Sequence, residues 1–183
     1  AALTGLPIRP VKGQILRLRA PDGGPAGFRH VLRAHVDGRG VYLVPRADGE
    51  VVVGATVEER GDQLVTAGAV LDLLRAAAEV LPEIAEYELV AVRAGLRPGT
   101  PDNAPLLGRL VGRPDLVVAS GHYRHGIVLT PLTADLIADL LTTGVVDPML
   151  APLAPDRFGG LTEHAAERAA AGHVAARHIA ARH

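Results

Sequence analysis

Cysteine is absent from this 183-residue chain, aromatic residues make up 3% of it, and its 19 basic residues include one lysine, Lys12. Having no cysteine excludes disulfides, a thiolate nucleophile and zinc-finger sites, and is compatible with any compartment. Strong charge of one sign is missing as well. The formal net charge is -1, which gives neither the basic footprint of a nucleic-acid binder nor a polybasic membrane surface. No apolar run approaches the roughly 18 residues that signal a membrane span. The first residues lack both the basic start and the apolar core of a signal peptide. Ala1-Ala2-Leu3-Thr4-Gly5-Leu6-Pro7-Ile8 reads as the inside of a longer chain, and a cytoplasmic location is expected.

What is present is Ala, Val and Leu. They supply most of the 48% hydrophobic content, enough for a core in a chain of this length. The near-exclusive use of arginine reads as coding bias toward Ala, Gly, Pro and Arg. Only an arginine's setting, not the number of arginines, carries functional meaning.

Taken in order, Ile15, Arg17 and Arg19 alternate with Leu16 and Leu18, which predicts a strand entered through a tight Lys12-Gly13-Gln14 turn. Three short strands follow, over 30–36, 41–45 and 50–56, joined by Asp37-Gly38-Arg39-Gly40 and Ala47-Asp48-Gly49. Asp-Gly between apolar runs is a hairpin signal, so these read as an antiparallel meander with one face on a core. Residues 66–81 repeat Val70, Leu74, Ala77 and Leu81 at helical spacing, widened by Leu71 and Leu73, and Pro82 stops the helix. A strand over 88–96 then delivers Arg97. Residues 116–120 form a short apolar run of the kind found in buried parallel strands. A second helix spans about 126–141, burying Leu136, Ile137 and Leu140, with Pro131 tolerable only in its first turns.

The stretch 94–127 organises the rest. Arg97 and Arg124 each sit in a Gly- and Pro-rich turn just beyond an apolar run. A guanidinium held in a rigid turn is a seat for a small carboxylate, and the second turn opens a helix whose N-terminus favours anions. By spacing alone, Arg97 is equally a surface arginine that ends a strand.

These residues also carry a resemblance. Gly95-Leu96-Arg97-Pro98-Gly99-Thr100-Pro101-Asp102, Pro105-Leu106-Leu107-Gly108 and Gly121-His122-Tyr123-Arg124-His125-Gly126-Ile127 resemble the C-terminal signature of the flavin-dependent D-amino-acid oxidase superfamily, and within it the glycine oxidases of the thiamine pathway. The match runs in order from about Pro10 to Gly144. The resemblance implies that Arg97 pairs with the substrate carboxylate, with Arg124 sharing it or holding the ring-side loop. It implies that Tyr42 offers a phenol hydroxyl to the same carboxylate and that Gly95 lies beside both substrate and cofactor. Val57 falls where relatives often place a methionine over the pocket, a change of wall size that bears on selectivity. Lys12 and Gly13 would pass near the flavin. Gly121, His122, Arg124, His125, Gly126 and Ile127 would meet it, largely through the main chain, with the helix start facing the side of the ring that gains charge on reduction. His122 and His125 are also candidates for a general base. Against that role, a neutral amine gives up hydride without a base, and the sequence offers these histidines no evident carboxylate partner.

The implied fold is α+β: an antiparallel or mixed-sheet substrate domain plus the last strand and helix of an FAD-binding domain. The expected division is 1–9 as the end of an FAD-binding half, 10–96 as substrate domain, 97–149 as active-site turn, strand and helix, and 150–183 as an Ala-, Arg- and His-rich tail. The implied reaction is oxidation of glycine or another small amino acid by hydride transfer to FAD, giving an imine or 2-oxo acid and hydrogen peroxide. The alternatives are a D-amino-acid or sarcosine-type dehydrogenase and a non-catalytic domain. No Gly-x-Gly-x-x-Gly turn followed by a helix occurs; Gly23-Gly24-Pro25-Ala26-Gly27 fails on its proline and its context. The chain is therefore expected to need an N-terminal FAD-binding half, on the same or a second chain, and to hold FAD weakly or not at all alone. A small amino acid is the expected substrate, a homo-oligomer is compatible, and no nucleic acid, membrane or metal is expected. His164, His173, His178 and His183 do not converge on a metal, because steps of five residues turn about 140° on an α-helix.

Overall fold

In the computed structural model, which describes residues 5–21 and 26–159, the chain divides into two compact units. One is Pro10–Leu96; the other joins Ala1–Arg9 to Arg97–His183. The four tail histidines lie outside the described residues.

The first unit is built on alternation. In β1 (Arg9–Arg19), Leu16 and Leu18 are buried while Arg17 and Arg19 are partly exposed. Next come β2 (Leu32–Val36), β3 (Arg39–Pro45) and β4 (Glu50–Gly54), then β5 (Glu88–Gly99), in a five-stranded sheet of order β2-β3-β4-β1-β5. The meander is antiparallel, with Leu43 opposite Leu32 and Val53, and Leu16 opposite Val53 on the next strand. Asp37 and Gly38 both have positive φ, 49° and 76°, as a tight hairpin turn matched to strand twist requires. The buried Glu50 carboxylate accepts from Arg17 Nη2 at 2.6 Å and lies 3.4 Å from Arg19 Nη2, so its burial is compensated.

Helix α1 (Ala67–Val80) covers one face of the sheet. Thr66 caps it, accepting from the Ala69 N–H, and Leu81 ends it before Pro82. Leu73 and Ala77 are the buried contacts, packed with Leu16, Leu18, Val41, Leu43, Val51 and Val53; Val70 and Leu74 pack at the margin. The predicted stripe packs on the core at Val70, Leu73, Leu74, Ala77 and Leu81, while Leu71 faces out.

Lys12-Gly13-Gln14 is not a turn. These residues lie inside β1, because main-chain bonds hold them extended: Lys12 and Glu58 exchange N–H and carbonyl at 2.8 and 2.9 Å, and Thr56 N–H donates to the Gln14 carbonyl.

The second unit holds a two-stranded antiparallel sheet of β6 (Leu106–Leu110) and β7 (Arg113–Ser120). This corrects the parallel reading of 116–120: a turn with Gly112 at φ 77° returns the chain directly. One face packs Leu106, Leu110 and Val118 with Leu6; the other packs Leu107 with Leu136 and Leu140 of α2 (Gly126–Thr142) and with Leu150. Both faces being covered explains why β6 shows no alternation in sequence. No described helix is long and apolar enough to cross a membrane.

Candidate functional site

In the second unit two turns meet. β5 carries a partly exposed Arg97 to Pro98 and Gly99, after which the chain folds around Thr100, a side chain with no exposed surface. The Thr100 hydroxyl lies 2.7 Å from the Ala104 carbonyl and 3.0 Å from Asp102 Oδ1, and Asp102 Oδ1 accepts the Ala104 N–H at 2.9 Å. Arg157 braces the turn from 55 residues away, donating to both Asp102 oxygens at 2.9 and 3.1 Å and to the Ala104 and Pro105 carbonyls at 2.8 and 3.0 Å. Its guanidinium also stacks over Phe158, 4.4 Å from the ring centre. Arg9 holds the other side, donating to the Thr100 carbonyl and, at 3.1 Å, to Asn103 Oδ1. The Arg157 guanidinium pulls the Asp102 carboxyl down to about 2.

The second turn follows β7. Gly121 has φ 80°, and a Cβ there would lie 2.6 Å from Thr100 Cγ2. Only glycine lets the two turns touch. They are also joined by main chain, the Tyr123 N–H donating to the Pro98 carbonyl at 3.0 Å. His122 Nε2 is 3.0 Å from Thr133 Oγ1, and burial pushes its imidazole below the ordinary histidine value. Arg124 and His125 are exposed. His125 is the N-cap of α2 but makes no side-chain cap bond, and Ile127 and Val128 beside it are 92% and 78% exposed.

The first unit holds the other sequence candidates. Tyr42, on β3, lies over Gly54: a Cβ at Gly54 would come within 2.4 Å of the phenol ring. Tyr42 sits on the strand face opposite Val41 and Leu43, the residues that pack toward α1. Val57, 51% exposed, lines a cavity of about 550 Å3 with Arg39, Thr56, Glu58 and α1 residues. Tyr42 is not among that cavity's lining residues. Gly95 is exposed on β5; Lys12 and Gly13 are buried on β1. Among the described residues no cluster of metal-ligating side chains occurs.

Comparison with known proteins is decided by one match: the family model described as FAD dependent oxidoreductase (DAO) covers residues 1–140. The chain belongs to this family. Glycine oxidase of Pseudomonas putida is 40% identical over 154 residues, covering 82% of this chain and 40% of that protein. A bifunctional protein ThiO/ThiG of a Nostoc species is 41% identical over 149 residues, covering 81% of this chain and 22% of that one. The crystal structure of glycine oxidase from Geobacillus kaustophilus superposes with a TM-score of 0.73 at 38% identity, over 83% of this chain and 40% of that one. The chain thus spans about two fifths of the glycine oxidases it matches.

Sequence reading found the two turns but not what braces them. Arg9, Asn103 and Arg157 carry no local signal, since their partners lie 91, 94 and 55 residues away. Gln14, Glu58 and Asp62 were missed too, although a lone lysine among arginines was a cue to look for acidic partners near Lys12.

Proposed function

We propose that this chain is the substrate-binding and ring-facing part of an FAD-dependent oxidase of glycine or a similar small amino acid, working with a dinucleotide-binding half. The observation that carries the reading is the pairing of the two turns. Pro98 to Thr100 and Gly121 to Tyr123 are locked together, so Arg97 and the start of α2 are held on one frame. The named glycine oxidases, at about 40% identity across this region, support glycine as substrate; a role in making the thiamine thiazole is proposed from the resemblance of the two turns to thiamine-pathway glycine oxidases.

The residues fit the ring end of FAD. A helix start without a side-chain cap, preceded by Gly121 and flanked by open Ile127 and Val128, suits a flat, electron-rich group. Bound FAD supplies the two-electron oxidation of the substrate's C–N bond. The resemblance gives the chain's own share as orientation: Arg97 would hold the carboxylate, with Tyr42 and Arg124 in support and Val57 as an apolar wall. Gly95, Gly121, His122, Gly126 and Ile127 would line the ring, with Lys12, Gly13 and His125 nearby. Exposed Leu132, Leu141, Val145, Val146 and Met149 on and after α2 support an apolar partner surface of the kind the dinucleotide-binding half would provide.

The test is co-expression with a dinucleotide-binding half, followed by peroxide measurement with glycine, sarcosine and D-alanine. Flavin uptake and peroxide from glycine are expected. Flavin uptake with electrons passed only to an artificial acceptor would identify a dehydrogenase; no flavin uptake would leave a non-catalytic domain.

A further inference from the structure

The segment between β4 and α1, residues 55–66, forms neither helix nor strand; Arg60 Nε pairs with Asp62 Oδ2 within it at 2.9 Å, and Glu58, Asp62 and Thr66 bond two side chains of β1. Lys12 and Gln14 both have 0% exposure. Lys12 Nζ is 2.9 Å from Asp62 Oδ1 and 3.5 Å from Glu58 Oε2. Gln14 donates from Nε2 to Glu58 Oε1 at 2.8 Å and to Thr66 Oγ1 at 3.2 Å, and its Oε1 accepts the Thr66 N–H at 2.9 Å. Thr56 closes the set, its Oγ1 accepting the Gln14 N–H at 2.8 Å and lying 2.7 Å from Glu58 Oε1. Asp62 Oδ1 also accepts the Leu64 N–H at 3.0 Å. Thr56 and Glu58, the two residues bracketing Val57, are therefore both tied to the same pair on β1.

A buried ammonium is costly unless paired, and its partners lose heavily if it goes. Gln14 adds geometry: its amide spans from Glu58 at the segment's middle to Thr66 at its end, where α1 begins. A side chain that bonds both places fixes the distance between them. Main-chain bonds from Thr56 and Glu58 to β1 hold the start of the segment, and beyond Glu58 the Lys12 and Gln14 side chains carry the hold on to Asp62 and Thr66.

We propose that Lys12 and Gln14 are positioning residues that clamp segment 55–66 and so fix where Val57 stands, setting selectivity among small amines without touching substrate. This rests on the reading of Val57 as pocket wall. It gives the Lys-Gly-Gln motif a task separate from any contact with the flavin.

Two measurements separate the clamp from the enzyme reading. In the full chain, Lys12→Met should speed amide exchange at Glu58, Leu64 and Thr66 about tenfold or more, while β2 and β3 amides stay unchanged. Asp62→Asn, which leaves Lys12 paired with Glu58, should speed Leu64 and Thr66 by less; it serves if the methionine variant does not fold. Unchanged exchange in both overturns the clamp whatever the enzyme does. In the assembly with its dinucleotide-binding half, Gln14→Leu, at a residue outside the proposed flavin and substrate contacts, should shift the sarcosine-to-glycine ratio of kcat/KM about threefold or more through KM, with kcat for glycine nearly kept. Faster exchange with an unmoved ratio overturns the selectivity role; an unmutated assembly that does not oxidise glycine overturns it together with the function on which it rests.

Discussion

A guanidinium presents two parallel N–H donors to a carboxylate, and the pair is charge-assisted. Arg97 offers that fork from a strand end whose next residues are locked to the Gly121 turn, so its backbone cannot drift when the side chain is truncated. Arg97→Ala should therefore act on binding alone: in the active assembly KM for glycine should rise at least about tenfold, the value of one charged hydrogen-bonded pair, with a smaller change in kcat. A near-normal KM would remove Arg97 from the substrate. Asp102 does a different job at the same turn. With its pKa held at about 2 by Arg157, against ~3.9 for an unfolded aspartate, it contributes stability that is complete above the unfolded value. That contribution is lost as pH falls through the folded one. The urea midpoint of the second unit should fall gently as pH drops through the histidine range, because buried His122 resists protonation, and then decline further between about pH 4 and pH 2 as Asp102 takes up its proton. Asp102→Asn should lower the midpoint at neutral pH and flatten that decline. Asp62, also held at about 2, by Lys12 first and then the Leu64 N–H, has the same window but reports on the other unit.

At the scale of elements, α1 is the part that local physics specifies most fully. Thr66 caps it, its apolar stripe covers one face of the meander, and Pro82 stops it. Leu73→Ala would leave a hole in the cluster it shares with Val41, Leu43 and Val53, and should cost about 2–5 kcal/mol in chemical denaturation. The same change at exposed Leu71 should cost little, and reversed sensitivities would show that the stripe is misplaced. The meander was legible for the same reason as α1: Leu16 and Leu18 against Arg17 and Arg19 fix a face, and Asp37-Gly38 fixes a turn. β6 and the direction of β7 were not legible. Leu106 and Leu107 are buried on opposite faces, so no alternation appears, and a short apolar run does not record which neighbour it pairs with. The extended path of Lys12 to Gln14 was hidden likewise, since its cause is main-chain bonding to Thr56 and Glu58, about 42 to 46 residues later. Local patterns specified the elements; the braces are long-range and left no local trace.

For the chain as a whole, the cores of the two units are unequal. Pro10–Leu96 encloses one continuous cluster of ten buried apolar residues under a helix. The described part of the other unit has two separate clusters of four on either side of a two-stranded sheet, and it exposes Ile127, Val128, Leu141, Val145 and Val146. A two-stranded sheet is marginal without packing on its faces, and apolar surface left in water contributes nothing to stability. Unfolding of the isolated chain should therefore take two steps in urea, 97–159 opening at lower concentration than 10–96, with hydrogen exchange by mass spectrometry assigning each step. A dinucleotide-binding half that covers α2 binds the folded form of the weaker unit. By linkage it should raise the first step by about 2.7 kcal/mol at a hundredfold excess over its Kd while leaving the second nearly unchanged. A single transition would show that the units stabilise each other already. A partner that shifted the second step alone would place its contact on the sheet of 10–96 and not on the helix that follows the Gly121 turn.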